Sequence, residues 1–205
     1  MRIEICGPLG VGKTTLAKRL AELTGWELLH EPVESHPFLE AFYEAPQKFS
    51  LEADLFFLLN HLHQVKAQGK KDVIFDRSFI VSRSYASFSP LAEEERNVLR
   101  ALDAALQHLG PAALIVNLVC PSEFVLQRIA ARNREIESSV DIGFVSALND
   151  EMQKQIRLIE PYNKVLHVDM LQYDFVNNPD DAEKVLELIM AKLAEPAHYE
   201  RQKTA

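Results

Sequence analysis

The chain has 205 residues, 47% of them hydrophobic, and a formal net charge of −8. That length suits one sizeable α/β domain, and the acidic balance disfavours binding to nucleic acid or to an anionic membrane surface. Cys6 and Cys120 lack zinc-like spacing, and no stretch approaches the ~20 apolar residues of a membrane-spanning helix. With no signal-like segment before the first predicted strand, we expect a cytoplasmic protein.

Strand-like and helix-like segments alternate along the chain, which is typical of a parallel sheet covered by helices. We predict five strands, over 2–6, 27–30, 72–76, 113–119 and 164–169. We predict helices over about 13–23, 50–67, 79–88, 91–108, 121–131, 143–158 and 180–194. The expected fold is α/β, with one domain over 1–195 and a flexible tail over 196–205.

The stretch "GPLGVGKT" directly after the first strand completes the motif G-x-x-x-x-G-K-[ST]. Glycines allow positive φ and close approach of the backbone, so that successive N–H groups and the following helix N-terminus can surround phosphate oxygens. Lys13 is placed to reach β- and γ-phosphates, and Thr14 offers a hydroxyl to Mg²⁺. The predicted phosphate-binding residues are Gly7, Pro8, Leu9, Gly10, Val11, Gly12, Lys13, Thr14 and Thr15.

Charged residues follow the second and third predicted strands. Glu31 lies at the carboxyl end of its strand, where it can take a proton from an attacking hydroxyl. Asp76 is in a position typical of a carboxylate that holds Mg²⁺ water, and Arg77 can pair with Glu31 or with the transferring phosphoryl group. The alternatives are a solvated loop acid or helix cap at Glu31, and a structural ion pair at Asp76 and Arg77.

Three arginines lie at the end of the fifth predicted helix, over about 121–131. Arg128 and Arg132 are four residues apart and share one helix face, and Arg134 follows where the helix is expected to break. Their convergence predicts a lid over residues 128–137 that closes on a triphosphate. The alternative is a solvent-exposed charged face paired with Glu135 and Glu137.

Taken together, "GPLGVGKTT", "EPVE", "DRS" and R-x-x-x-R-x-R-x-x-E resemble, in that order, the deoxynucleoside kinase family. The resemblance runs from residue 3 to about 182. It implies a P-loop kinase fold with a five-stranded parallel sheet and an Arg-rich lid. It also implies transfer of phosphate from ATP to a small-molecule deoxynucleoside in nucleoside salvage, with Mg²⁺, by a protein that is usually a homodimer.

The resemblance also implies a role for individual residues. Glu31 would be the base that deprotonates the 5′-hydroxyl, with Arg77 beside it and Asp76 at the magnesium. Tyr43 and Glu137 would bind the sugar 3′-hydroxyl. The three arginines would form the catalytic lid, and the loop over 168–181 would lie near the adenine of the donor.

Selection of the base depends on positions where this chain departs from many relatives. Asp54 stands where they carry Gln, His61 stands seven residues on in place of Arg, and Ser82 replaces an Asp of some relatives. An ionised Asp only accepts hydrogen bonds, which suits the two donors of guanine. We therefore expect a purine preference, with deoxyguanosine first. The alternatives place Glu52 in the pocket, or leave Asp54 as a solvent-facing helix acid.

Other functions share part of these features. A nucleoside monophosphate kinase of the thymidylate kinase kind has the same fold, but it would place the carboxylate of "EPVE" beside an anionic acceptor. A GTPase switch expects N-K-x-D, and "NKVL" at 163–166 lacks the Asp. A nucleotide-binding module without a small acceptor would show slow ATPase activity that nucleosides do not stimulate.

Overall fold

A single parallel sheet forms the centre of the protein. The structure, a computed structural model, describes residues 1–132 and 140–196. Within them, five strands run in the order β2-β3-β1-β4-β5, every pair parallel. The strands are β1 (Arg2–Cys6), β2 (Glu27–Leu29), β3 (Val73–Phe75), β4 (Leu114–Val119) and β5 (Val165–Asp169). The predicted α/β fold is confirmed.

Helices cover both faces of this sheet. They are α1 (Lys13–Thr24), α2 (Leu39–Glu44), α3 (Pro46–Ala67), α4 (Phe79–Phe88), α5 (Glu93–Gln107), α6 (Ser122–Arg132), α7 (Ile142–Ile159) and α8 (Pro179–Ala194), with a 3₁₀ turn at Glu160–Tyr162. No described helix combines the length and apolarity needed to cross a membrane.

Two helical features were absent from the sequence prediction. Helix α2 has only six residues, too few to show a clear helical period. Helix α3 begins at Pro46 rather than at residue 50. Proline is well suited to a first helical position, because its φ is already helical and its missing N–H would be unpaired there anyway.

The alternating side chains of β1 divide the core into two layers. Ile3 and Ile5 belong to one apolar cluster with Leu16 of α1, whereas Cys6 packs in another with Ile80 of α4. All five residues of β1 are buried, as expected of a central strand covered on both faces. Glu4 points to the same side as Cys6, so a carboxylate is enclosed in the core.

The sheet order fixes where a ligand can bind. Strand β1 lies between β3 and β4, so the chain moves to opposite sides of β1 in its first and second halves. In open α/β sheets the crevice beyond the carboxyl ends of the strands at such a switch point is the usual binding site. The loops over 7–12, 30–38 and 76–78 all begin at this edge.

Some predictions concern residues that the structure does not describe. Arg134 and Glu137 of the predicted lid lie outside the described residues, and so does the tail beyond residue 196. The division into a domain and a tail stays a prediction.

Candidate active site

A cleft of about 1240 Å³ opens at the carboxyl edge of the sheet. One wall, called the donor side after the predicted phosphate donor, comes from the loop after β1, the start of α1, α6 and the segment before α8. The other, called the acceptor side or acceptor wall, comes from the loop after β2, from α3 and from the turn after β3. The predicted site residues among its lining are Leu9, Gly10, Gly12, Lys13, Thr14, Thr15, Glu31, Tyr43, Asp54, Asp76, Arg77 and Arg128. Segments far apart in sequence thus share one space.

Two glycines shape the predicted phosphate-binding loop over residues 7–15, called the phosphate loop below. Gly7 has φ 146° and Gly12 has φ 106°, values that side chains rarely allow. A Cβ on Gly7 would lie 2.9 Å from the carbonyl oxygen of Leu118, and one on Gly12 would lie 2.9 Å from Val176 Cγ2. The loop therefore passes too close to β4 and to the segment before α8 for any larger residue.

Lys13 at the start of α1 bends back over the loop. Its Nζ donates hydrogen bonds to the carbonyl oxygens of Gly7 at 3.0 Å and Pro8 at 2.8 Å. Burial lowers the pKa of this lysine, against the opposing attraction of Glu31. The ammonium is therefore held within the concave loop, where an anionic group would replace weak carbonyl contacts with a direct charge pair.

Asp76 joins the two strand ends on the acceptor side. Its Oδ1 accepts a hydrogen bond of 2.6 Å from the backbone N–H of Glu31. Its Oδ2 accepts one of 3.3 Å from the hydroxyl of Thr14 and lies 3.1 Å from Nδ1 of His30. A carboxylate and a hydroxyl thus converge at the cleft, and hard oxygen ligands of this kind fit Mg²⁺.

Glu31 and Arg77 form an ion pair across the cleft floor. Nε of Arg77 donates to Ser82 Oγ at 3.2 Å, and the guanidinium lies 4.3 Å from the ring centroid of Phe57. His36 supports that ring from a centroid distance of 4.4 Å. Arg77 is therefore fixed on several sides, and it fixes Glu31 in turn.

Beneath this pair, the buried carboxylate of Glu4 connects the turn after β3 to α3. Glu4 accepts a hydrogen bond of 2.9 Å from Ser78 Oγ and one of 2.8 Å from Arg2 Nε, and it lies 3.5 Å from His61 Nε2. Burial alone would raise the pKa of Glu4, but the attraction and hydrogen bonding of His61, together with Arg2 and Ser78, lower it to about 2. Ser78 also caps α4, since its Oγ accepts from the N–H of Ile80.

Asp54 lies on α3 at the far end of the acceptor wall. Its Oδ2 accepts a hydrogen bond of 2.6 Å from Ser89 Oγ, and the residue is only 5% exposed. Burial raises the pKa of Asp54 to about 6, although Ser89 and the charge of Arg77 act in the opposite direction. A carboxylate with so shifted a pKa inside a cleft is a candidate for recognition or catalysis.

Two predicted substrate contacts need correction. His61 is absent from the described lining of the large cleft and packs in the core against Glu4 and the ring of Phe75. Ser82 is 2% exposed, lies behind Arg77 and accepts its hydrogen bond. The alternation of β1 and the depth of α3 and α4 bury both side chains, so they support the site from behind.

The described part of the predicted lid lies at the donor side. Arg128 lines the cleft, donates a hydrogen bond of 3.1 Å to Asp174 Oδ1 and stacks over the ring of Phe124 at 4.7 Å. Arg132 is the last residue of α6. The convergence of the three arginines stays a prediction, because Arg134 falls outside the described residues.

Several residues that support the cleft were not predicted from the sequence. Ser89 and His36 are brought to the acceptor wall only by folding, since each contacts residues of α3. No local pattern around either residue indicates these contacts, because they join positions 17 and 35 residues apart. Buried Glu4 did carry a signal, because a lone acid within the apolar run "RIEIC" needs partners when the strand is central.

A protein-family model matches almost the whole chain. The model described as "Deoxynucleoside kinase" matches residues 3–195 of this chain. That range includes the phosphate loop, strands β2 and β3, and all the described residues that line the cleft.

Individual relatives agree with the family model but differ in their bases. A deoxyguanosine kinase of Bacillus subtilis is 27% identical over 192 residues, covering 89% of this chain and 93% of that protein. A deoxyadenosine/deoxycytidine kinase of the same organism is 24% identical over 199 residues, covering 91% and 90%. The fold matches a deoxyadenosine kinase from M. mycoides with bound dATP, at a TM-score of 0.76 and 22% identity over 95% of this chain and 100% of that one.

Proposed function

The chain belongs to the deoxynucleoside kinase family, and from that premise we propose that it transfers the γ-phosphoryl group of ATP to the 5′-hydroxyl of a deoxynucleoside. The observation that carries the proposal is the ion pair of Glu31 and Arg77, which faces the same cleft as the phosphate loop. The charge of Glu31 acts on Lys13 of that loop, so a hydroxyl beside Glu31 would lie near phosphates bound there.

The proposed reaction needs one proton acceptor and several fixed positive groups. The 5′-oxygen attacks the γ-phosphorus, the new O–P bond forms as the bond to the β-phosphate oxygen breaks, and the hydroxyl proton passes to the carboxylate of Glu31. Arg77 holds Glu31 and the hydroxyl in line, and Lys13 binds the β- and γ-phosphates. Catalysis in this class consists of positioning and charge stabilisation.

Thr14 and Asp76 are the proposed magnesium site. The 3.3 Å contact between their oxygens supports this assignment, since both are hard ligands at the edge of the phosphate loop. When bound there, Mg²⁺ would neutralise part of the phosphate charge. Asp76 would keep its second role, because its other oxygen still accepts the N–H of Glu31.

The remaining predicted contacts complete the proposal. Tyr43 lines the acceptor side of the cleft and is proposed, with Glu137, to bind the 3′-hydroxyl. Arg128, Arg132 and Arg134 are proposed to close over the phosphates as a lid.

Asp54 is proposed to contact the base, with deoxyguanosine the first candidate, and a deoxyguanosine kinase among the relatives supports this order. The position of Glu31 argues for a nucleoside rather than a monophosphate acceptor, because its carboxylate would repel an acceptor phosphate. Assembly as a homodimer stays a prediction.

The decisive experiment compares ATP-dependent phosphorylation of the four deoxynucleosides and their four monophosphates. We expect product from at least one deoxynucleoside, and we expect Glu31→Gln to lower kcat by about 10²–10⁴-fold, the usual contribution of a general base. Glu40→Gln, which alters an exposed carboxylate of α2, is the matched control and should leave the rate unchanged.

Other outcomes separate the competing functions. Product from monophosphates alone would make the protein a nucleoside monophosphate kinase and remove the proposed role of Glu31. ATP hydrolysis that no nucleoside stimulates would favour a nucleotide-binding module.

A further inference from the structure

The acceptor wall ends in an unusual group for recognition of a base. Asp54 is a carboxylate within the cleft, almost completely buried, and held at one oxygen by the 2.6 Å hydrogen bond from Ser89. The Ser89 Oγ also lies 3.3 Å from the carbonyl oxygen of Tyr85, and the carbonyl oxygen of Ser89 accepts a hydrogen bond of 2.9 Å from Arg96 Nη2 of α5. Ser89 is thereby fixed, and it fixes the direction of the Asp54 carboxylate.

The carboxylate can present two different hydrogen-bonding patterns. In its ionised form it only accepts hydrogen bonds, which matches the N1–H and N2–H donors along one edge of guanine. In its neutral form it offers one O–H donor and one acceptor, which matches the N1 acceptor and N6–H donor of adenine. An amide side chain presents the second pattern at every pH.

We propose that the protonation state of Asp54 selects the base, the ionised carboxylate favouring deoxyguanosine and the neutral carboxyl favouring deoxyadenosine, and that Ser89 sets the balance between the two forms. This inference rests on the proposed function and adds a specificity-determining role for Ser89. It follows that the preferred substrate changes with pH.

The surroundings of Asp54 bring its pKa into a range in which enzyme kinetics can be measured. Burial raises the pKa of Asp54 to about 6, and the Ser89 hydrogen bond and Arg77 lower it from what burial alone would give. Among the described residues, the other titratable or charged groups around the acceptor wall are His30, Glu31, Glu34, His36, Tyr43, Asp76, Tyr85 and Arg96. Glu31 is paired with Arg77, and burial lowers the pKa of His36, whose Nε2 lies 3.2 Å from the carbonyl oxygen of Ala53.

The test measures kcat/KM for deoxyguanosine and for deoxyadenosine between about pH 5 and pH 8. The value for deoxyguanosine divided by the value for deoxyadenosine gives a ratio that removes every pH effect common to both reactions, including that of Glu31. Because each substrate requires the opposite form of one group, the ratio should rise about tenfold per pH unit until weak binding of the wrong form sets a limit.

Two variants identify the group that titrates. Asp54→Asn should favour deoxyadenosine and give a ratio independent of pH, since an amide does not ionise in this range. Ser89→Ala removes a hydrogen bond that stabilises the ionised form, so the ratio should be lower than in the unmodified protein at every pH within the titration range. A purely structural role of Ser89 would change both kcat/KM values together and leave their ratio unchanged.

The outcomes are distinct. A ratio that does not change with pH in the unmodified protein overturns the inference while the proposed function stands. A pH-dependent ratio that persists in Asp54→Asn assigns the effect to another group, such as His36, and also overturns it. Failure to phosphorylate any deoxynucleoside would overturn the proposed function and this inference with it.

Discussion

The donor and acceptor sides of the cleft are built in different ways. The phosphate loop on the donor side is one continuous stretch, residues 7–15, whose shape comes from backbone conformation and from glycines pressed against neighbouring segments. The acceptor side is assembled from side chains of separate segments, including Glu31, Asp54 and Arg77. A site made of backbone depends on local sequence, whereas a site made of side chains depends on the buried groups that hold them.

Two buried carboxylates on the acceptor side show how strongly a side chain there depends on the groups around it. Glu4 has Arg2, His61 and Ser78 around it, and its pKa falls to about 2. Asp54 has one hydrogen bond from Ser89 and a more distant charge, and its pKa rises to about 6. Both are at most 5% exposed, so the compensating groups, rather than the depth of burial, decide the sign.

The largest expected effect belongs to Glu4. Its lowered pKa contributes stability that is fully present above its ordinary value of 4.5 and is lost as the pH falls toward 2. We expect Glu4→Gln to lower the free energy of unfolding at neutral pH by about 3 kcal/mol, because Arg2 loses its buried partner. Urea unfolding at pH 7 and at pH 3 should show the difference shrink at the lower pH.

The control for this variant is Glu27→Gln on the edge strand β2. Glu27 forms an exposed ion pair with Lys71, and such pairs contribute at most about 1 kcal/mol. Equal destabilisation by the two substitutions would show that the buried cluster has no special role.

The next largest effect is expected in the phosphate loop. Gly12→Ala places a Cβ 2.9 Å from Val176 at φ 106°, and should lower kcat/KM for ATP by about 10²-fold by displacing the loop. Gly25→Ala is the matched control, since φ there is 70° but nothing lies within 4 Å of the added Cβ. That variant should cost about 1 kcal/mol of stability and leave KM unchanged. Normal kinetics in Gly12→Ala would show that Val176 moves aside.

A smaller effect of opposite sign is expected at Asp54. Its raised pKa means that the ionised form costs stability above about pH 6, and that this cost disappears as the pH falls below 3.8. Asp54→Asn should therefore raise the free energy of unfolding at neutral pH, by about 2 kcal/mol. Thermal unfolding at pH 7 and pH 4 tests the sign, and destabilisation at pH 7 would contradict the contrast with Glu4.

The smallest effect tests whether a side chain also tunes the donor side. Asp174 is partly exposed and binds Arg128, so Asp174→Asn should free that arginine for phosphates and lower KM for ATP by up to about fivefold. Asp103→Asn breaks the comparable pair with Arg83 outside the cleft lining and should leave KM unchanged. A raised KM in Asp174→Asn would mean that Asp174 orients Arg128 for binding.

The residues of the candidate site differ in how far the sequence predicts their positions, and the reasons are physical. The sequence predicts that the phosphate loop and the strand-end residues Glu31, Asp76 and Arg77 meet at one edge, because chain position alone brings strand ends together there in a parallel sheet. His61 was placed in the base pocket, yet it contacts Glu4 in the core. Helical spacing gives the face of a residue, but not how deeply the neighbouring helices bury that face.

By itself, the sequence determined the alternation of strands and helices, the phosphate loop and the family, since these depend on local periodicity and on short motifs. Only the tertiary structure decided that Ser89 holds Asp54, that Glu4 connects Ser78 to His61, and that Asp174 pairs with Arg128. These contacts join residues 35, 74, 57 and 46 positions apart. At such separations the packing of helices on the sheet, rather than any local pattern, determines which side chains meet and which charges are compensated.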